Sequence, residues 1–323
     1  MLSRDEAIQK INAYAANETP FVFFTDFLGS KVWIKPTAEI AESELRFQFS
    51  DHPQNTTYST HLESFRFEKR PIPFEEFESS FKQVISEINF GNSFLVNLTF
   101  QSPIETNLSL DQIFNISHAK YKLRFKDQFV VFSPETFVKI KDGFIYSYPM
   151  KGTIDAKVPN AESQLLNDPK ELAEHVTITD LIRNDLSQIA DEVQVTKFRF
   201  VSEVKTRDKI LLQVSTEVRG KLLENHLANL GTLLFKLLPA GSITGAPKHK
   251  TVEIIERIEN YPRGFYTGIC GHFDGKNLDS GVMIRFIEKE QNQLYYKSGG
   301  GITSFSKAEK EYQELIDKIY VPI

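Results

Sequence analysis

Cysteine is all but absent from this chain. Cys270 is the single thiol among 323 residues, so no internal disulfide can form and a cysteine-based zinc site lacks ligands. Long apolar runs are also missing, and none approaches the roughly 18 residues that a membrane-spanning helix needs. No run of lysines or arginines occurs and the net charge is −5, which leaves nucleic-acid binding without an electrostatic footprint. An anionic ligand would have to be met by a local positive pocket. The N-terminal stretch MLSRDEAIQKINAYAANETP is charged and helical in pattern, unlike a secretory signal. No internal repeat, low-complexity tract or linker is visible. These absences lead us to expect a cytoplasmic protein with no membrane and no nucleic-acid partner.

What is present is ordinary globular material. Hydrophobic residues make up 41% and charged residues 25%, and 27 phenylalanines supply bulk for a core. The length allows one large domain or two. Ser3 to Ala16 reads as a helix, with Ser3 as N-cap and Glu6 completing a capping box. Phe21–Phe24 and Ser30–Ile34 read as a hairpin, and Gln48 to Thr60 as a polar loop marked by His52, Pro53, Gln54 and Asn55. Helices are predicted over Phe74–Asn89, Lys170–Ile189, His226–Leu237, Lys248–Ile258 and Ser306–Lys318. Strands are predicted over Phe94–Phe100, Tyr121–Phe125, Phe129–Phe132, Phe137–Ile140, Phe144–Tyr148, Gln194–Val204, Leu211–Gly220, Gly268–Phe273, Ser280–Glu288 and Gln293–Ser298. The strands cluster without strict βαβ alternation, which favours one large α/β domain with mixed or antiparallel sheets.

Several short segments carry chemistry. Pro149-Met150-Lys151-Gly152-Thr153 reads as a strand running out into a turn; alone, its lysine is an ordinary surface charge. Glu171 and Glu174 share a helix face at i, i+3, and Glu311 and Glu314 repeat that spacing on the last helix. Taken singly these are solvated faces; facing one another, they would form an oxygen-only pocket suited to Mg²⁺. Arg285, placed in the predicted strand, has a guanidinium able to grip a carboxylate. Gly299-Gly300-Gly301 reads as a turn before the last helix, where backbone N–H groups can approach an anion. Gly241 to Lys248 (GSITGAPK) lacks the G-K-[ST] ending of a P-loop, and Pro247 suits a helix N1 position.

In this order and spacing, Ser133-Pro134-Glu135, the run from Glu171 to Leu186, GSITGAPK and Gly299 to Glu314 resemble the chorismate-utilising enzymes. That group includes anthranilate synthase, aminodeoxychorismate synthase component I, isochorismate synthase and salicylate synthase. The resemblance runs from about Phe74 to Lys318. It implies one domain of two antiparallel β-sheets flanked by helices, with residues 1–73 a short N-terminal part of it and 74–323 the chorismate-binding catalytic region.

The resemblance also implies roles. Glu174 and Glu314 match the metal ligands, with Glu171 and Glu311 as outer or water-mediated carboxylates. Thr244, Tyr266, Arg285 and the triple glycine match contacts to substrate, and Lys318 matches a further basic residue near the metal. Glu135 matches the general acid. His175, next in sequence to a metal-ligand position, reads as a residue that orients that ligand or packs beside it rather than one that transfers a proton.

Lysine at position 151 resembles aminodeoxychorismate synthase component I, since the other branches usually carry alanine there. Lys151 is then the nucleophile, which must be neutral to attack. Leu95 stands where the hydroxylating branches place a water-activating lysine, so hydroxylation is disfavoured. Ala240, Phe286 and His272 also depart from the usual residues. The short N-terminal segment leads us to expect no tryptophan feedback, and ammonia is expected from a separate glutaminase subunit. Two other readings remain open at this point: anthranilate synthase component I, and a catalytically idle chorismate-binding subunit.

Overall fold

Strand Phe21–Thr25 shows how the apolar residues are partitioned. All five residues are buried. Alternation sends Phe21 and Phe23 into one core cluster and Val22 and Phe24 into another. A strand buried on both faces must lie between two packed layers. The computed structural model, which describes residues 1–50, 65–205 and 210–323, places it there.

Two sheets form the scaffold. The first has nine strands, in the order Met150–Asp155, Ile210–Lys221, Phe144–Ser147, Thr136–Lys141, Leu278–Val282, Ile269–Phe273, Phe21–Thr25 and Val32–Pro36, with Asp191–Lys205 added on Ile210–Lys221. The second has eight: Gly245–Ala246, Leu95–Thr106, Gln293–Ile302, Phe286–Glu290, Phe129–Ser133, Tyr121–Phe125 and Leu45–Gln48, with Phe67–Lys69 added on Leu95–Thr106. Every strand pairing among the described residues is antiparallel.

The sheets meet through aromatic residues. Phe24 of the first lies edge-on to Phe125 at 5.0 Å and to Phe129 at 5.4 Å in the second. The largest cluster joins the first sheet to helices Arg4–Ala16, Phe74–Phe90, Leu230–Lys236 and Lys248–Ile258. A third lies under helix Leu110–Ile116 and the C-terminal Ile319 and Val321. Each fully buried phenylalanine contributes about 1.5–3 kcal/mol by transfer from water.

Local signals behave as the sequence suggests at most elements. Ser3 and Glu6 form the capping box on Arg4–Ala16. Helix Phe74–Phe90 buries Phe77, Phe81 and Val84 and stops at Gly91 in the left-handed region, φ 90°. The loop marked by His52 to Asn55 lies outside the described residues.

Strands Leu45–Gln48 and Phe67–Lys69 and helices Leu110–Ile116 and Ala161–Asn167 carry no sequence prediction, and other elements differ from theirs, three of them at the site. The predicted strand Ser280–Glu288 is two strands: Leu278–Val282 belongs to the first sheet and Phe286–Glu290 to the second. Arg285 therefore sits in the crossing between sheets, with φ 54°. The triple glycine is not a turn; strand Gln293–Ile302 runs through it, with Gly299, Gly300 and Gly301 opposite Thr99, Leu98 and Asn97. Lys151 lies within strand Met150–Asp155, where the register shifts between Met150 and Thr153 and Gly152 has φ 83°. Pro247 is the N-cap of Lys248–Ile258 rather than its first residue.

Candidate active site

The glycine strand is the floor on which the charged groups assemble. A methyl group on Gly299 would stand 2.4 Å from the Leu98 carbonyl oxygen, which leaves no room for any side chain. On Gly300 it would stand 3.6 Å from Lys318 Nζ, 3.7 Å from Glu314 Oε1 and 3.8 Å from Glu311 Oε2. On Gly301 it would meet Leu95 Cδ1 at 3.0 Å and Lys151 Nζ at 3.2 Å. Three residues without side chains thus let two lysines and two carboxylates close on one short length of backbone.

Lys151 and Glu174 form the other side. Lys151 Nζ is 3.7 Å from Glu174 Oε2, and the two side chains are 23% and 12% exposed. Gly152 faces the second carboxylate of that helix, since a methyl there would be 3.2 Å from Glu171 Oε2. The strand bulge and helix Pro169–Leu186 together bring both glutamates of this pair to the P-x-K-G block.

Lys318 ties the last helix to the floor. Its ammonium donates to the Gly299 carbonyl at 2.8 Å and pairs with Glu314 Oε1 at 2.6 Å. Burial pulls the Lys318 ammonium downward, and Glu314 opposes that pull. Arg285 Nη1 donates to the Lys318 carbonyl at 2.7 Å, and its guanidinium covers the Tyr320 ring at 4.8 Å.

Glu135 is half-buried and accepts a hydrogen bond from the Ser242 hydroxyl at Oε1. Burial pushes its carboxyl upward from the ordinary range, while Ser242 and the charges of Lys151 and Lys318 draw it down. A cleft of about 1210 Å³ opens at Arg285, Pro134 and Met150, and is lined also by Lys120, Tyr148 and Gln213. It is large enough for a small organic acid.

Two further candidates are buried close by: the Thr244 carbonyl accepts from the N–H of Asn97, the residue opposite Gly301, and Tyr266 feels the charge of Arg285. Thr244 is buried and donates its hydroxyl to the Ala240 carbonyl at 2.8 Å. Tyr266 is packed in the cluster between the sheets, 5.9 Å from the Phe286 ring, and burial pushes its hydroxyl up. His175 is fully buried; its Nε2 lies 2.6 Å from Thr216 Oγ1, and burial lowers it to about 4, so the ring is neutral. Cys270 is buried with its thiol raised to about 12, which makes it inert.

Sequence reasoning missed Ser242, Asp185 and Lys248. Asp185 Oδ2 pairs with Lys248 Nζ at 2.7 Å across the GSITGAPK segment. All three lie inside stretches quoted for their resemblance, so the signal was present without a geometry to interpret it.

The match to the family model of chorismate binding enzymes extends over residues 12–323. The chain belongs to that family. Among its relatives in that family, an uncharacterized PabA-like protein of Haemophilus influenzae is 49% identical over 316 residues, covering 98% of this chain and 96% of that one. Aminodeoxychorismate synthase component 1 of Salmonella typhimurium is 32% identical over 260 residues, covering 76% of this chain and 56% of that protein. A 2,3-dihydroxybenzoate-specific isochorismate synthase structure from Bacillus anthracis superposes with TM-score 0.73 at 22% identity, over 98% of this chain and 87% of that one. It shares the fold.

The family implies Mg²⁺, and the donor chemistry fits: Glu171 lies against Gly152, Glu174 against Lys151, and Glu311 and Glu314 against Gly300. Among the described residues, no three His, Cys, Asp or Glu side chains converge into a ready metal cage. A hard cation that retains several waters suits such an open set. No helix among the described residues is long and apolar enough to cross a membrane.

Proposed function

We propose that this chain aminates chorismate at C4 with ammonia, giving 4-amino-4-deoxychorismate on the way to 4-aminobenzoate and folate in the cytoplasm. The observation that carries this reading is the position of Lys151, held against side-chain-free Gly301 and 3.7 Å from Glu174 on the floor it shares with Lys318. An alanine there could not act as a nucleophile.

In this reading the neutral Lys151 amine attacks C2 of chorismate, and the ring double bond migrates. The C4 hydroxyl leaves as water with the proton held by Glu135, and the proton that the Lys151 nitrogen sheds on becoming the covalent adduct restores Glu135. Ammonia then adds at C4 and gives up one proton, the double bonds return, and that proton goes to the Lys151 nitrogen as it departs. Splitting one difficult displacement into two steps is the benefit of a covalent intermediate. Glu135 suits the acid role because burial favours its protonated form. Arg285 borders the cleft and supplies a carboxylate-binding fork. Mg²⁺, held by Glu174 and Glu314 with Glu171 and Glu311 outside them, would neutralise one substrate carboxylate. Leu95 lies against the same glycine as Lys151 and offers no group that could activate water. Ammonia comes from a separate glutaminase subunit, since Cys270 is buried and unreactive.

The test is to incubate the protein with chorismate, Mg²⁺ and ammonium and identify the products by mass spectrometry. Aminodeoxychorismate supports the proposal. Anthranilate would assign the chain to the branch that adds ammonia at C2. Chorismate binding without turnover, even with a glutaminase added, would make it an idle subunit.

A further inference from the structure

The general acid of the proposed reaction is held from behind by a turn that the reaction itself does not use. Ser242 lies in the short helical turn Gly241–Ile243, and its hydroxyl donates to Glu135 Oε1. An oxygen that accepts this bond is the carbonyl-like oxygen of a protonated carboxyl, so the proton is left on Oε2.

The turn is itself clamped. Lys248 Nζ bonds Asp185 Oδ2 at 2.7 Å and the Leu237 carbonyl at 2.8 Å. A methyl on Gly241 would meet Asp185 Oδ2 and Leu181 Cδ2, each at 3.0 Å, so the turn sits directly on the helix that carries Asp185. A small cavity lined by Glu135, Ser147, Tyr148, Asp185, Gly241 and Ser242 lies among these groups.

We propose that Ser242 is a positioning residue for Glu135, fixing which carboxyl oxygen carries the transferable proton, with the Asp185–Lys248 pair holding the turn in place. This rests on Glu135 being the acid of the proposed function. The charged groups around Glu135 are Lys151 from its strand, Lys318 from the end of the last helix, and Asp185 with Lys248 across the turn. The Ser242 hydroxyl favours the ionised form of Glu135, so its removal lets the proton persist to higher pH.

The test uses pH-difference infrared spectra of the free protein, with the Glu135 carboxyl band assigned by its loss in Glu135→Gln. In Ser242→Ala the midpoint of that band moves upward by roughly half to one pH unit, the size expected for one lost hydrogen bond. Ser242→Thr, which keeps the hydroxyl, restores it. The basic limb of the kcat/KM profile moves with the band in each variant. An unmoved or downward-shifted midpoint in Ser242→Ala overturns the proposal. Undiminished turnover in Glu135→Gln overturns the reading of Glu135 as the acid, and the infrared midpoint separates that failure from a failure of Ser242.

Discussion

Lys151 Nζ stands 3.7 Å from Glu174 Oε2, one at a strand bulge and the other on the helix packed against it. The pair explains how an amine can be held at the edge of an acidic site without being fixed by a short ion pair. It also gives the most direct prediction. Lys151→Ala should leave the fold intact and reduce amination by at least about a thousandfold, in keeping with the loss of a covalent nucleophile. A circular dichroism melt alongside product analysis checks both halves, and near-normal turnover would remove Lys151 from the mechanism.

The triple glycine should divide into structural and functional positions. Gly299→Ala meets a backbone oxygen at 2.4 Å, so it should destabilise the protein strongly. Gly301→Ala meets the flexible end of Lys151 at 3.2 Å and a leucine methyl at 3.0 Å, so it should cost less stability and more kcat. Melting temperatures set against turnover for the two variants distinguish the roles. Equal effects on both quantities would contradict this division.

Glu259 and Arg263 form a buried ion pair at 2.7 Å, with both side chains 2% exposed. Arg263 also donates to the carbonyls of Ile243 and Asn97, while Glu259 accepts from Thr99. Glu259→Ala strands a buried guanidinium and should cost about 3–5 kcal/mol. Urea unfolding measures it; a loss below about 1 kcal/mol would show that the network is not needed.

Lys122 provides a pH-dependent case. The residue is 7% exposed; its ammonium donates to the Ser117 carbonyl at 2.7 Å and is lowered to about 8 first by burial and then by Arg46. The unfolded chain holds that proton to about pH 10.4. Between these values the unfolded state binds more protons, so this contribution to stability rises with pH. Below pH 8 the full penalty remains, up to about 3 kcal/mol. The stability of Lys122→Met relative to wild type should therefore be greatest at pH 7 and decline as pH approaches 10. A difference independent of pH would refute the assignment.

Chelation should act through the glutamates. Removing divalent ions with EDTA should abolish turnover and added Mg²⁺ should restore it, while Glu174→Gln and Glu314→Gln should raise the Mg²⁺ concentration required by at least about tenfold. Titration of activity against Mg²⁺ reads this directly, and unchanged requirements in both variants would exclude these two ligands.

Much was fixed by local rules. The Ser3–Glu6 capping box, the apolar face of Phe74–Phe90 and the buried run Phe21–Thr25 depend on short-range periodicity and capping, which a linear chain displays openly. The order and spacing of the P-x-K-G, E-x-x-E and GSITGAPK segments likewise carry the family resemblance in the linear chain. What the sequence could not decide was where neighbours in space come from. Ser280 to Glu288 looks like one strand because both halves are β-prone, yet the halves belong to different sheets and Arg285 marks the crossing. Gly299 to Gly301 looks like a turn because glycine is common in turns. Its real cause is the Leu98 carbonyl on one strand and the Lys151 and Lys318 side chains from two other elements. Nor does any local rule join Ser242 to Glu135, which are 107 residues apart. Such contacts depend on how two sheets and their helices stack, and only the tertiary packing sets those distances.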